Sequence, residues 1–308
     1  MWRRSDLRQS SRRCSGCAGR CTHSFSHRKP RLSIFSFPRY WSLQAVKTDS
    51  CSLLLSLLLP LYFAPNARLY TWERNFMALY VLSDTHLSGA TEKPMDIFGE
   101  RWKNHTERIG YFFEKTLRTG DTVVIPGDIS WGMTLEEALP DLQFLNSLPG
   151  KKILMKGNHD YWWSTVSKIE KFFAEHQLST LSLLFNNAYK VESFALCGTR
   201  GWYSDSTNPP CTDRAKIVLR EAGRLERSLQ AGRQLEAEEL LAFLHFPPVW
   251  GSFVCRELLE VLLRYGVKRC YFGHMHGQYN LAPTFEYEGI SFTLASSDYL
   301  QFRPLSIV

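Results

Sequence analysis

Five short clusters of the 308-residue chain carry side chains able to bind metal ions or move protons. They are Ser83-Asp84-Thr85-His86, Pro126-Gly127-Asp128, Gly157-Asn158-His159-Asp160, His245 ahead of Phe246-Pro247-Pro248, and Gly273-His274-Met275-His276-Gly277. As ligands they offer two carboxylates (Asp84, Asp128), one amide (Asn158) and four imidazoles (His86, His245, His274, His276), with His159 in addition. That number of mixed oxygen and nitrogen donors exceeds what one tetrahedral zinc takes. It suits two ions that share a bridging carboxylate and stand about 3.5–4 Å apart. Asp128 is the expected bridge, because it follows its glycine with no ligand beside it. Donors without thiolate favour divalent Mn, Fe, Zn or similar ions. In extended chain, residues i and i+2 face the same side, so Asp84 and His86 are expected to grip one ion from a strand end. Gly127, Gly157 and Gly273 are expected where a β-carbon would obstruct the turn.

The elements that must position these clusters alternate. Strand-like apolar runs cover 78–83, 121–126, 152–156, 189–197, 241–246, 268–273 and 291–295. Helix-like stretches lie near 104–118, 134–147, 162–176, 212–231 and 253–265. In the fourth of these, Ile217, Ala222, Leu225 and Leu229 form an apolar stripe. Thr134-Leu135-Glu136-Glu137 reads as a capping box opening the second. Such alternation predicts an α/β fold with a largely buried sheet, without internal repeats. Each chemical cluster follows a strand-like run, and open α/β sheets bind ligands at the carboxyl ends of their strands.

With these motifs in this order, residues 77–308 resemble the calcineurin-like metallophosphoesterase family. The resemblance implies a four-layer α/β/β/α sandwich with a dinuclear site at one edge of its sheets. It implies that Asp84, His86, Asp128 and His276 hold one divalent ion and that Asp128, Asn158, His245 and His274 hold the other. His159 would then be the catalytic group at the leaving oxygen or the phosphoryl charge, and Asp160 its orienting partner. The activity implied is hydrolysis of a phosphate ester by a metal-activated water, as a phosphomonoesterase (phosphatase) or a phosphodiesterase. After the bridging Asp the run is Ile129-Ser130-Trp131-Gly132, where many family members carry a further acid or aromatic. The runs Asp160-Tyr161-Trp162-Trp163 and Gly198-Thr199-Arg200-Gly201-Trp202 are similar to those of uncharacterised bacterial phosphohydrolases within the family. The alternative of another class is a catalytically silent metal-binding scaffold or interaction subunit on the same fold; such loss shows as missing ligands, and none is missing.

Charge sorts the partners. The formal charge of +7 is concentrated in residues 1–76, with 13 Lys/Arg against 3 Asp/Glu; residues 77–308 hold 24 against 27. The body therefore makes no electrostatic case for a nucleic-acid partner. The apolar run 53–64 is too short to span a bilayer, so no membrane association is expected. Cys14, Cys17, Cys21 and His23 have a zinc-like spacing but no folded support around them, and accidental spacing is the expectation. Met77 opens directly onto the first strand-like run. The reading that follows is that 1–76 is a non-globular basic leader, a gene-model extension absent from the working protein, with an organellar transit peptide as the lesser reading. A peptide from 31–68 in a digest of the native protein overturns it. Cys197, Cys211, Cys255 and Cys270 read as free thiols in a reducing, cytoplasmic setting.

Among peripheral residues, Arg200 is a candidate clamp on a phosphate oxygen of the substrate. Trp131, Trp162, Trp163, Trp202 and Tyr203 are expected to pack in the core or at its rim. His105 reads as an ordinary helix-start residue.

Overall fold

The computed structural model describes residues 76–204 and 213–308. The cysteine–histidine run at 14–23, the apolar run at 53–64 and Cys211 lie outside the described residues.

Two sheets lie at the centre. In the first, β1 (Leu79–Val81), β2 (Thr122–Ile125), β3 (Lys151–Leu154) and β4 (Leu181–Leu183) run parallel in that order, and β13 (Leu305–Ser306) pairs antiparallel with β1. The second has β6 (Phe194–Thr199), β7 (Glu239–Leu244), β10 (Arg269–Phe272) and β12 (Ile290–Leu294) in parallel. Its two edges are antiparallel: β5 (Tyr189–Val191) beside β6 and β11 (Thr284–Tyr287) beside β12. A small hairpin, β8 (Val249–Trp250) and β9 (Phe253–Val254), stands apart.

Side-chain alternation fixes the layers. Leu79, Val81, Val124, Ile153, Leu241, Phe243 and Tyr271 fill the space between the sheets. Their neighbours Tyr80, Val123 and Ile125 turn outward beneath α1 (His105–Thr116), α2 (Leu135–Ser147) and α3 (Val166–Glu175). On the other side Ala242, Cys270, Phe272 and Phe292 pack beneath α4 (Arg214–Arg233) and α5 (Arg256–Arg264). Three hydrophobic layers between four structural ones give the α/β/β/α sandwich. Among the described residues no helix is long and apolar enough to cross a membrane.

Local chemistry sets several boundaries. The Thr134 side chain accepts from Glu137 N–H, while the Glu137 carboxylate reaches back to Met133 N–H, so the box caps α2 as expected. On α4 the buried stripe is Val218, Ala222, Leu225 and Leu229; Ile217 is only half-buried. The stripe also contains Glu221 and Ser228, both fully buried. The run 189–197 divides into β5 and β6 because Glu192 takes the left-handed conformation (φ 51°), which closes a two-residue turn between Val191 and Phe194. Cys197, Cys255 and Cys270 are free and buried, and burial pushes the Cys197 thiol up to about 12.

Phe292, fully buried between the second sheet and its helices, gauges that layer. Phe292→Ala is expected to cost about 3–5 kcal/mol, read as a lower denaturation midpoint with the slope unchanged.

Candidate metal centre

All parallel strands end at one edge, where the chemical clusters converge. Asp84, Asp128 and Asn158 follow β1, β2 and β3 of the first sheet; His245 and His274 follow β7 and β10 of the second. Ligand atoms fall into two groups, Asp84–His86–His276 and Asp128–His245–His274, each within 4.8 Å. One oxygen of Asp128 faces each group: Oδ2 is 3.6 Å from His86 Nε2, and Oδ1 is 3.5 Å from His245 Nε2. Asn158 Oδ1 lies 2.7 Å from His245 Nε2.

The backbone reaches this arrangement by an unexpected route. Asp84, His86, Asp128 and His274 all have left-handed backbones, φ 60°, 44°, 51° and 67°. The extended Asp84–His86 grip expected from sequence is therefore replaced by a tightly wound segment. After Val81 the ladder gives way, and the N–H groups of Asp84 and His86 donate to the carbonyls of Gly127 and Asp128 at 3.0 and 2.9 Å. Asp and His tolerate this region better than most side chains. Gly127 takes the turn conformation expected of it, φ 94°, whereas Gly157 and Gly273 serve close approach. A β-carbon on Gly157 would collide with Asp128, and one on Gly273 with Ser83 and the Asp84 carboxylate.

Asp160 is placed differently from the expectation that it orients His159. Its Oδ2 accepts from the N–H groups of Asp128 (2.9 Å) and Gly157 (2.7 Å). Its Oδ1 accepts from Ile129 N–H (2.8 Å), Ser130 N–H (3.3 Å) and Trp162 Nε1–H (3.1 Å). Five donors hold this buried carboxylate against the main chain, and His159 Nδ1 is buried with no partner. The His159 main-chain N–H donates to Asp128 Oδ1 at 2.8 Å, while its ring lies against Trp131, centroids 4.5 Å apart.

Two imidazoles have their tautomers fixed from behind. His245 Nδ1 faces the Pro126 carbonyl at 3.0 Å and His276 Nδ1 faces Asp298 Oδ1 at 2.8 Å. Both acceptors call for a proton on Nδ1, which leaves Nε2 free for an ion. Asp298, fully buried, also accepts from Gly277 N–H and the Tyr279 hydroxyl. With Ser296, which donates to Asp84 Oδ2, and Ser297, which donates to Ser83 O, it forms a strip after β12 that sequence reading misses. Ser-Ser-Asp at the end of a strand-like run is its one visible signal. His105 is also more than its sequence position suggests: it is buried, and its Nε2 lies 3.2 Å from the carbonyl of His86. Trp131 stacks on His86 at 5.0 Å, and Arg200 belongs to neither ligand group.

Electrostatics fit cation binding. Burial, against a lowering by the His276 charge, raises Asp84 to about 6. Burial, then the charges of Asp84 and Asp160, holds Asp128 well above the usual carboxylate range. Burial also lowers His86 and His245 well below an ordinary imidazole, with neighbouring histidines adding to it. Asp128 Oδ2 is buried without a hydrogen-bond partner, and the Nε2 atoms of His86 and His276 face each other at 3.3 Å. A divalent cation satisfies the orphaned oxygen, suits both nitrogen lone pairs and returns the carboxylates to their charged form. The donor set fits a dinuclear centre.

The two-sheet sandwich and the donor set at its edge together fit a metallophosphoesterase. Residues 77–278 match the model of the family described as calcineurin-like phosphoesterase, and the chain belongs to that family. Similar solved structures include a protein of unknown function, AQ665, from Aquifex aeolicus (18% identity, TM-score 0.39, 75% of this chain and 95% of that one). Phosphopantetheinyl hydrolase from Mycobacterium tuberculosis is similar at 15% identity and TM-score 0.45, over 76% of this chain and 96% of that one. The protein TT1561 of Thermus thermophilus is similar at 10% identity and TM-score 0.45, over 73% and 91%. No curated protein matches the chain.

Ion binding must displace protons. For His276, burial lowers the pKa, but the hydrogen bond to Asp298 and the Asp84 and Asp298 charges outweigh it and raise the ring above its ordinary 6.5. As pH falls, the first ligand group therefore gains a proton on His276 above pH 6.5 and then one on Asp84 near 6. Calorimetric Mn²⁺ titration is expected to show affinity falling about tenfold per pH unit for each proton displaced. Asp298→Ala should weaken Mn²⁺ binding at pH 7.5 by about 10–100-fold.

Proposed function

We propose that this protein hydrolyses a phosphate mono- or diester at a dinuclear divalent-metal centre. The observation that carries the reading is Asp128, a buried carboxylate with one oxygen toward each of two nitrogen–oxygen ligand groups and its Oδ2 unpartnered. Asp84, His86, Asp128 and His276 are assigned to one ion, and Asp128, Asn158, His245 and His274 to the other. When bound, the ions neutralise phosphoryl oxygens and lower the pKa of a water so that it attacks near neutral pH.

The remaining steps belong to the chain. The His159 main-chain N–H turns the Asp128 carboxylate, and the ring stands beside His86, centroids 5.7 Å apart. Burial, with the charges of Lys93 and His276, lowers its pKa to about 4, so near pH 7 it is a neutral N–H donor. An arriving phosphate dianion raises that pKa and favours proton delivery to the leaving oxygen. Asp160 keeps the loops carrying Asp128 and Asn158 in register. Arg200, in register beside the strand end that carries His245, suits a contact to a phosphate group of the substrate.

The test is hydrolysis of p-nitrophenyl phosphate and its bis-ester by the full chain with Mn²⁺. Turnover should require the metal and vanish with Asp128→Asn. His159→Ala should lower kcat about 10²–10⁴-fold with metal stoichiometry unchanged. Two bound metals and no turnover on either ester would count against the hydrolase.

A further inference from the structure

Beside the metal centre a cavity of about 450 Å³ opens, lined from α3, α4 and the ends of β3, β4 and β6. That volume lies within the range of small-molecule sites. Its position follows from register. Lys156 immediately precedes the Gly157-Asn158 segment. Arg200 follows the paired residues Thr199 and Leu244, which puts it alongside His245; its carbonyl accepts from Phe246 N–H at 2.8 Å.

The walls carry four cations, Lys156, Arg200, Arg220 and Arg224, against the single carboxylate of Glu221. Glu221 is fully buried and already engaged, accepting from Thr199 Oγ1 at 2.6 Å and Arg224 Nη1 at 2.5 Å. Arg200 Nη2 comes no nearer to it than 3.9 Å. Arg200 Nε is buried with no partner, a costly state for a guanidinium N–H. Burial is the main effect lowering the Arg200 pKa; Glu221 opposes it, and the charges of Arg224 and Arg220 add to it. Crowded cations that outnumber their one counterion call for an anion from outside. Planar guanidinium forks match phosphate oxygens in particular. Met155, Trp163, Leu184 and Phe185 supply apolar wall between these groups.

We propose that this cavity is an anion site that receives a second phosphate group of the molecule whose phosphate ester is cleaved at the metal centre. The substrate is then a molecule that carries two phosphate groups. As a statement about substrate, this rests on the hydrolase reading above; as a statement about an anion site, it stands apart from it.

The test is calorimetric titration of inorganic pyrophosphate into the full, metal-stripped chain. Stripping matters because loaded ions would themselves ligate pyrophosphate. One saturable site is expected, weakened about tenfold or more by Arg220→Gln and by Lys156→Gln. Arg256→Gln, an exposed arginine paired with Glu288, should leave it unchanged. Arg220 is exposed, so its substitution does not threaten the fold. Absence of saturable binding, or equal loss in the Arg256 variant, overturns the site. Pyrophosphate binding, with neither p-nitrophenyl phosphate nor its bis-ester hydrolysed by the chain carrying two Mn²⁺, keeps the anion site and sinks the hydrolase. Hydrolysis without pyrophosphate binding does the reverse.

Discussion

A single buried carboxylate, Asp160, holds the first sheet's share of the site together. Its five donors come from the loop after β2, the loop after β3 and the indole of Trp162. Without it, four main-chain N–H groups at the ligand loops would be left unsatisfied in a dry interior, each at a cost of about 1–3 kcal/mol. The left-handed backbone at Asp128 is retained because the surrounding contacts over-determine it. The carboxylate thus ties these loops into one cradle, in which the His159 main-chain N–H holds the Asp128 side chain.

The second sheet is tied to this cradle through the end of β12. Ser83 N–H donates to Ala295 O, Ser297 N–H donates to Ser83 O, and Ser296 reaches the Asp84 carboxylate. The sheets therefore meet through hydrogen bonds at the same edge where the ligands meet. Farther back they touch mainly through apolar side chains such as Leu79, Val124, Leu241 and Phe243, with single hydrogen bonds from Tyr189 Oη to the Leu183 carbonyl and from Arg269 to the Ile307 carbonyl. Directional bonds are densest at the ligand edge, and non-directional packing fills most of the space between the sheets behind it.

Long parallel strands are legible in the sequence because burial on both faces writes continuous apolar runs, as in Thr122–Ile125 and Arg269–Phe272. The edge strands β4, β11 and β13 are not, because their residues are not all buried and so write no continuous apolar run. The ligand types are legible because carboxylate, amide and imidazole at strand ends have few structural uses. The supporting residues are harder to read. Asp298 and His105 act on ligands 22 and 19 residues away in sequence, and nothing local marks a side chain whose partner is set by the fold. Asp160 stands out in the sequence but invites the wrong task, since adjacency to His159 says nothing of where five N–H groups will converge. The left-handed turns at Asp84 and His86 are invisible for a related reason: these residue types permit them without demanding them.

The order of these ligands along the chain has a consequence for synthesis. Each group draws its last member from the Gly273–Gly277 segment, some 190 residues after Asp84. A ribosome-bound chain that has already extruded β1 to β4 holds Asp84, His86, Asp128 and Asn158, yet neither ligand group is complete. The parallel strand β10 must be threaded beside β7 before His274 and His276 arrive, and Asp298 follows later still. Neither ligand group is therefore finished until its last member, His274 or His276, has been made, and a nascent chain short of both presents only part of each.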